Sequence, residues 1–307
     1  FPAPADAVDL SHLCGDRRAR RDAVVHAARS FAADLVHGHL IDHDDSAGLT
    51  SQGLPLLMTV HNMRLGWPNG LAQLATAEAH LLVACAQAVE AELRQDQIPV
   101  PVRTAWNGIE FQAFERTAAI HAAAAEVRTH FGFGTNDFIL LALANPRPQK
   151  RLDLLPSVLA ATRAEFARRR IEREVRLVLA GQVSRASEVA ARAEESVCTE
   201  VARLGLDDHV RWTGSVTDIA SLLAAVDVLV STSAYEGLSL AQLEALAAER
   251  PVVATDVGGI AEVARDNPAV FRVPADSNSE RFASILADIA RQPPAGGERE
   301  RPPDEPR

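Results

Sequence analysis

Short apolar runs alternate with longer stretches of helical periodicity along most of this chain. In the second half, six runs of β-branched and aliphatic residues predict strands that begin at Phe138, Val175, Val210, Val226, Pro251 and Ala269. These runs are almost continuously apolar, which is typical of strands buried on both faces of a parallel sheet. Stretches with helical spacing, such as L-D-L-L-P-S-V-L-A-A-T-R-A-E-F, lie between them. This alternation predicts a doubly wound α/β fold.

The first half follows the same pattern with fewer units. Strands are predicted for D-L-V-H-G-H-L, P-L-L-M-T-V, H-L-L-V-A-C-A and V-P-V-R-T-A-W, with helices between them. The turn W-N-G-I-E then separates the halves, because Asn107 and Gly108 can supply positive φ angles. We therefore expect an N-terminal domain over 1–108, a C-terminal domain over 109–292 and a disordered tail over 293–307.

Composition narrows the class of protein. The 307 residues carry a net charge of −10, which argues against non-specific binding to nucleic acid or to an anionic membrane. Cys14, Cys85 and Cys198 are too scattered for a disulfide framework or a zinc site, and Cys85 lies in an apolar run typical of a packing role. A reducing cytoplasm is therefore expected. No apolar stretch approaches the roughly 20 residues of a transmembrane helix, although peripheral membrane contact stays open.

The loop after the strand that ends near Val230 carries the first candidate chemistry, in S-T-S-A-Y-E-G-L-S-L-A-Q-L-E. Ser239 and Gln242 have capping-box spacing, so we expect a helix to begin at Ser239. Its first backbone N–H groups would then point toward the ligand crevice and suit a phosphate. Glu236 and Glu244 are candidates to accept hydrogen bonds from sugar hydroxyls. The alternative is that Glu236 is a loop charge and Glu244 a solvated helix residue.

The loop after the strand at Phe138 is A-N-P-R-P-Q-K-R-L-D. It places Arg147, Lys150 and Arg151 between the end of a strand and the start of a helix. Such cations can neutralise a diphosphate leaving group, whose developing charge is the main electrostatic demand in glycosyl transfer. The alternative is ordinary surface charge.

The segment E-G-L-S-L-A-Q-L-E resembles the paired-glutamate motif of the retaining glycosyltransferases of family four, which have the GT-B fold. The segments P-Q-K-R-L-D-L-L, V-R-L-V-L-A-G, W-T-G-S-V and P-V-V-A-T-D-V-G-G-I-A-E-V follow the family's order, and W-N-G-I-E resembles its interdomain linker. The resemblance implies two Rossmann-like domains facing a cleft. It also implies transfer of a hexose, with retention, from a nucleotide diphosphate sugar to a sugar or small-molecule acceptor, without a metal ion or other cofactor.

The resemblance also implies roles for individual residues. Glu236 and His61, the latter in T-V-H-N, would contact the donor sugar near the reacting centre. Glu244 would bind the ribose hydroxyls, Lys150 the diphosphate, and the backbone of Val216 the base.

The remaining donor-site residues implied by the resemblance lie around these. The backbone N–H groups of Ser239 and Leu240 would hold the distal phosphate, and Gly237 and Leu238 belong to the same donor-binding loop. Asn145 stands where the family usually has an arginine, and Arg147, displaced by two positions, can supply the lost charge.

Two further features depart from the family pattern. Ser239 replaces a usual glycine and Ala241 a usual proline, and neither change removes the helix start. The glycine-rich loop after the family's first strand is absent, so we expect the first domain to be incomplete and the chain to be inactive alone.

The segment H-G-H-L-I-D-H-D-D is a competing site. His37 and His39 share one face of a strand, and the acidic residues and histidine that follow, Asp42, His43, Asp44 and Asp45, can also bind metals. Because the family needs no metal, acceptor contacts from this loop are the favoured interpretation.

Three functional alternatives stay open beside the glycosyltransferase. One is a GT-B nucleotide-sugar epimerase, and a second is a sugar phosphorylase, which would need an extra phosphate site or a pyridoxal-binding lysine. The third is an inactive, truncated module that binds nucleotide sugars without turnover.

Overall fold

The computed structural model describes residues 16–182 and 187–292. Their contacts divide the chain into two compact units. The first runs to Asn107 and also includes Glu236–Leu238, and the second holds the remaining residues from Gly108 onward. Cys14 and the tail predicted for 293–307 lie outside the described residues.

The first unit contains one parallel sheet in the order β1-β2-β3-β4. Its strands are β1 (Val36–His39), β2 (Leu56–Val60), β3 (Leu81–Ala84) and β4 (Val102–Thr104), and its helices are α1 (Arg17–Ser30), α2 (His43–Thr50) and α3 (Gln87–Gln95). Burial alternates along β2 and β3, so one face of this sheet is fully buried and the other only partly. Cys85, directly after β3, is buried, as its apolar surroundings predict.

The second unit contains six parallel strands in the order β10-β9-β8-β5-β6-β7. The strands are β5 (Phe138–Leu143), β6 (Val175–Ala180), β7 (Val210–Gly214), β8 (Val228–Ser231), β9 (Val252–Thr255) and β10 (Val270–Val273). The helices are α4 (Ala118–His130), α5 (Leu155–Arg169), α6 (Glu188–Arg203), α7 (Ile219–Ala225), α8 (Leu240–Ala247), α9 (Ile260–Ala264) and α10 (Ser279–Ala290).

Both faces of the second sheet are covered, which explains the continuous apolar runs. Along β5, Phe138 and Leu140 belong to a core formed with α5, α6 and α10, whereas Ile139 and Leu141 belong to a core formed with α7, α8 and α9. Successive residues of a strand point to opposite faces, so each run must be apolar throughout. The predicted α/β fold is confirmed. Within the described residues no helix is long and apolar enough to cross a membrane.

Candidate functional site

The second sheet has a switch point between β5 and β8. From β5 the chain winds outward through β6 and β7, and it then returns to the other side of β5 to form β8, β9 and β10. Open α/β sheets bind ligands beyond the carboxyl ends of the strands at such a switch. The loops that follow β5 and β8 contain Lys150 and Ser239, so the topology brings these two predicted residues to one place.

A pocket lies at this switch point, within the second unit. It is formed by the carboxyl ends of β5 and β8, the turn that carries Lys150 and the start of α8, and its polar lining residues are Lys150, Ser231, Thr232, Ser233, Ser239 and Gln242. Among the sequence-predicted residues, Lys150 and Ser239 line it. Asn145, Arg147, Val216 and Glu244 belong to the same unit but do not form its wall.

The Lys150 turn is held by a buried hydroxyl that the sequence analysis did not single out. Thr232, 1% exposed, donates from Oγ1 to the carbonyl of Lys150 at 3.0 Å and to that of Arg151 at 2.9 Å. Arg151 has a φ of +47°, a left-handed conformation that is uncommon for a non-glycine residue. The threonine therefore anchors a turn whose backbone is itself unusual.

Gln149 connects the same two loops a second time. Its backbone carbonyl accepts the N–H of Ala234 at 2.8 Å, and its side-chain Nε2 donates to the carbonyl of Tyr235 at 2.9 Å. The turn that carries Lys150 and the segment that follows β8 are thus joined by hydrogen bonds between residues more than eighty positions apart in sequence. Such bonds fix the backbone of the turn that carries Lys150.

Replacing Thr232 by valine tests this anchor. The change keeps the shape of the side chain but removes the hydroxyl that donates to the carbonyls of Lys150 and Arg151. The Arg151 carbonyl keeps the N–H of Leu154, so we expect the cost of one net hydrogen bond, about 0.5–1.5 kcal/mol. We expect thermal unfolding to report a loss of that size, and ligand binding at Lys150 to weaken with it. Thr162→Val is the matched control, because Thr162 is equally buried but donates only to the helical carbonyl of Val158. Equal losses in the two variants would contradict the anchoring role.

The start of α8 agrees with the prediction in position but not in capping. Ser239 is the N-cap residue and the helix begins at Leu240, yet the Ser239 side chain makes no capping hydrogen bond. The expected capping box is therefore wrong, because Gln242 is buried on the pocket wall. The Ser239 hydroxyl therefore does not occupy the first N–H groups of α8, and a helix N-terminus is a favourable place for an anion.

The two glutamates differ in their surroundings. Glu236 is 8% exposed, so it is not the solvated loop charge of the alternative interpretation. Glu244 lies in the second turn of α8 and is partly buried, and this desolvation raises the pKa of its carboxyl group. Removal from water weakens competition for its hydrogen bonds, which suits a carboxylate that receives ligand hydroxyls.

Asn145 and Val216 support the loops around the pocket. Asn145 Oδ1 accepts the backbone N–H of Gln182 at 2.8 Å and so joins the loops after β5 and β6. Gly181 allows this approach, because a Cβ there would stand 2.1 Å from the carbonyl oxygen of Ala144. The side chain of Val216, after β7, packs on the core, so its backbone is the part that can meet a ligand. Arg147 is exposed at the start of the Lys150 turn.

Three histidines form a row at the carboxyl edge of the first sheet. His37 and His39 lie on β1 with ring centroids 4.4 Å apart, and His61 follows β2 with its centroid 5.0 Å from that of His39. His39 Nδ1 and His61 Nε2 are 2.7 Å apart, and His37 Nε2 is 2.7 Å from Thr59 Oγ1. Across 16–182 and 187–292, no three His, Cys, Asp or Glu side chains are arranged to hold a metal ion.

The acidic residues after β1 have structural roles instead. Asp42 caps α2 through the N–H of Asp45 and pairs with Arg17 at 3.0 Å. Arg17 also pairs with Asp44, while His43 Nε2 lies 3.0 Å from a carboxylate oxygen of Glu78. The metal-capable composition of this segment is therefore explained by helix capping and ion pairs.

Comparison with known proteins identifies the family. The glycosyl transferases group 1 family matches residues 137–292, which comprise the second unit's sheet and the pocket described above. The chain belongs to this family. It is 29% identical over 186 residues to the putative glycosyltransferase EpsD of Bacillus subtilis, covering 61% of this chain and 44% of that protein. It is 27% identical over 282 residues to the D-inositol 3-phosphate glycosyltransferase of Saccharomonospora viridis, covering 85% of this chain and 62% of that protein.

This group 1 chain thus spans between two fifths and two thirds of the length of these two relatives. Among solved structures, it is similar to Anabaena Alr3699/HepE in complex with UDP-glucose, with a TM-score of 0.74 and 21% identity. The match covers 88% of this chain and 72% of HepE. Together with the two parallel sheets, this likeness supports the predicted GT-B fold class with two Rossmann-like units.

Proposed function

We propose that this chain carries the donor-binding site of a retaining glycosyltransferase that moves a hexose from a nucleotide diphosphate sugar to a sugar or small-molecule acceptor. The observation that carries the proposal is the pocket at the β5–β8 switch point, where Lys150 meets the N-terminal end of α8. One cation and one helix N-terminus in the same pocket suit the two negative groups of a diphosphate.

The family match supports a nucleotide diphosphate sugar as the donor. Residues of the second unit can contact each part of that donor. Lys150 and the N–H groups at the start of α8 bind the diphosphate. Glu244 accepts hydrogen bonds from the ribose hydroxyls, and the backbone at Val216 meets the base. Asn145 holds the loop in place, and Arg147 supplies further positive charge at its exposed edge.

The anomeric configuration is retained because the acceptor hydroxyl attacks the anomeric carbon from the same face from which the diphosphate leaves. The leaving diphosphate takes the proton of the acceptor hydroxyl, while Lys150 and Arg147 offset the negative charge that develops on it. Glu236 and His61 contact the hexose near its anomeric carbon. No covalent glycosyl–enzyme intermediate is needed in this scheme, unlike that of a retaining glycosidase.

Lys150 gives a direct test of donor binding, because it is the only lysine in the sequence. Lysine labelled with carbon-13 at the ε carbon therefore gives one NMR signal. We expect uridine, guanosine or thymidine diphosphate to shift that signal saturably, whereas inorganic sulfate shifts it little. If no nucleoside diphosphate moves it more than sulfate, the assignment of the donor pocket is wrong.

Turnover separates the enzyme from a binding module. The chain is incubated with UDP-glucose and a panel of alcohol acceptors, and the anomeric proton of each new glucoside is followed by NMR. An α-glucoside supports retention, and a β-glucoside contradicts it. Diphosphate binding without any transfer would favour the inactive binding module.

A further inference from the structure

We infer that His39 is a positioning residue for His61: the two imidazoles share one proton, so that His39 sets the protonation state of the second ring nitrogen of His61, Nδ1. The inference rests on the proposed role of His61 in the glycosyltransferase. Its structural basis is the 2.7 Å distance between His39 Nδ1 and His61 Nε2. At that distance one of the two nitrogens must donate and the other accept.

Proton counting links the outer nitrogens of the two rings. If His39 Nδ1 donates, His61 carries its own proton on Nδ1 and presents a donor there. If His61 Nε2 donates, His61 Nδ1 is bare and presents an acceptor, while His39 carries a proton on Nε2. When His39 gains a proton at Nε2, the shared proton can move from His39 Nδ1 to His61 Nε2. His39 Nε2 and His61 Nδ1 then both act as donors, and the hydrogen bond between the two rings is kept.

The surrounding charges favour a single proton in this bond. Burial lowers the pKa of His61, and the neighbouring His39 and His37 imidazoles lower it further. Burial and His39 likewise lower the pKa of His37. The nearby acidic residues are engaged elsewhere, since Asp42 and Asp44 pair with Arg17. Two protonated rings would place two donors face to face, so the pair holds at most one positive charge.

The backbone gives the pair its rigidity. His39 is the last residue of β1 and is aligned with Thr59 of β2, and His61 begins the loop directly after β2. The two rings are nearly parallel, with planes 28° apart. His37 is bonded to the Thr59 hydroxyl instead, so it can add charge to the row but does not share the proton of His61.

Nitrogen NMR of histidine-labelled protein tests the shared proton without any need for activity. We expect a scalar coupling across the hydrogen bond between His39 Nδ1 and His61 Nε2, and we expect it to vanish in His39→Ala. The pKa of His61 should rise in that variant, because a neighbouring positive charge is removed. His26→Ala, at an exposed position on α1 of the same unit, is the control and should change neither quantity. An unchanged His61 spectrum in His39→Ala overturns the inference.

Kinetics test the functional half. His39→Ala should lower kcat about five- to tenfold, the range for one net hydrogen bond, with little change in KM for the donor. His39→Asn should recover part of this loss, because its amide can occupy the position of Nδ1. The acid limb of the pH profile should shift in the alanine variant with the pKa of His61.

If His61→Ala retains normal turnover while the NMR coupling is present, the role of His61 fails and the positioning role fails with it. If His61→Ala is impaired and His39→Ala is not, only the positioning role fails.

Discussion

Lys150→Gln should weaken binding of the nucleoside diphosphate by about ten- to a hundredfold, the largest loss expected from a single change in this chain. The glutamine keeps a polar side chain of similar length but removes the positive charge. Hydrogen bonds to charged groups are worth about 1.5–3 kcal/mol, which corresponds to this range of affinity. Isothermal titration with the diphosphate that shifts the Lys150 signal provides the measurement. The wild-type affinity should also fall with added salt, and the variant should respond less.

Two controls separate a local contact from a general charge effect. Arg192→Gln removes the same charge from the exposed face of α6 in the same unit, and it should leave affinity nearly unchanged. Lys150→Arg keeps the charge but replaces a compact ammonium by a planar guanidinium, so binding should survive better than turnover. A loss in Arg192→Gln as large as that in Lys150→Gln would mean that the pocket does not hold the phosphates.

The strands could be predicted because each one is encoded by the apolar pattern of its own few residues. Each strand in the described part of the chain lies within a run predicted from patterning. The signal is strongest in the second sheet, because strands covered on both faces need apolar residues at nearly every position. Strand ends were less exact, as at Val226, where the run begins but β8 starts at Val228. Asp227 lies between them, and its carboxylate accepts the N–H of Ile139 on the neighbouring strand β5. A polar residue at a strand entrance is invisible to a search for apolar runs.

The contacts that organise the site could not be predicted from the sequence. Thr232 and Lys150 lie 82 residues apart, and no local pattern states that a threonine hydroxyl will meet the carbonyls of a distant turn. The sequence placed His37 and His39 on one strand face, but the partner of His39 is His61, in the loop directly after β2. Strand order must be known before such pairs appear. The best available signal was position, because Thr232 ends one predicted strand run and His61 directly follows another.

Glu244→Gln should change stability and ligand affinity in opposite directions. Burial raises the pKa of Glu244 above the ordinary 4.5, so the ionised carboxylate is disfavoured in the folded protein. A carboxyl group whose pKa is raised by folding stabilises the folded protein at pH values below its unfolded pKa. This stabilisation is lost as the pH rises through the pKa of the same group in the folded protein. At neutral pH the glutamine variant should therefore unfold at a higher temperature, and the difference should shrink as the pH falls toward 4.5.

Affinity should move the other way because only the carboxylate accepts strong hydrogen bonds from both ribose hydroxyls. Losing one such charged hydrogen bond costs about 1.5–3 kcal/mol, so the Kd for the nucleoside diphosphate should rise at least about tenfold in Glu244→Gln. Wild-type affinity should also decline as acid protonates Glu244, and the variant should lack that decline. The matched control is Glu126→Gln, an exposed position on α4 of the same unit, where neither stability nor affinity should change much. A more stable Glu244→Gln variant with unchanged affinity would show that Glu244 is a desolvated helix residue without a role at the ribose. Higher stability together with lower affinity would instead show that the fold accepts the cost of a charged Glu244 because that charge binds the ligand.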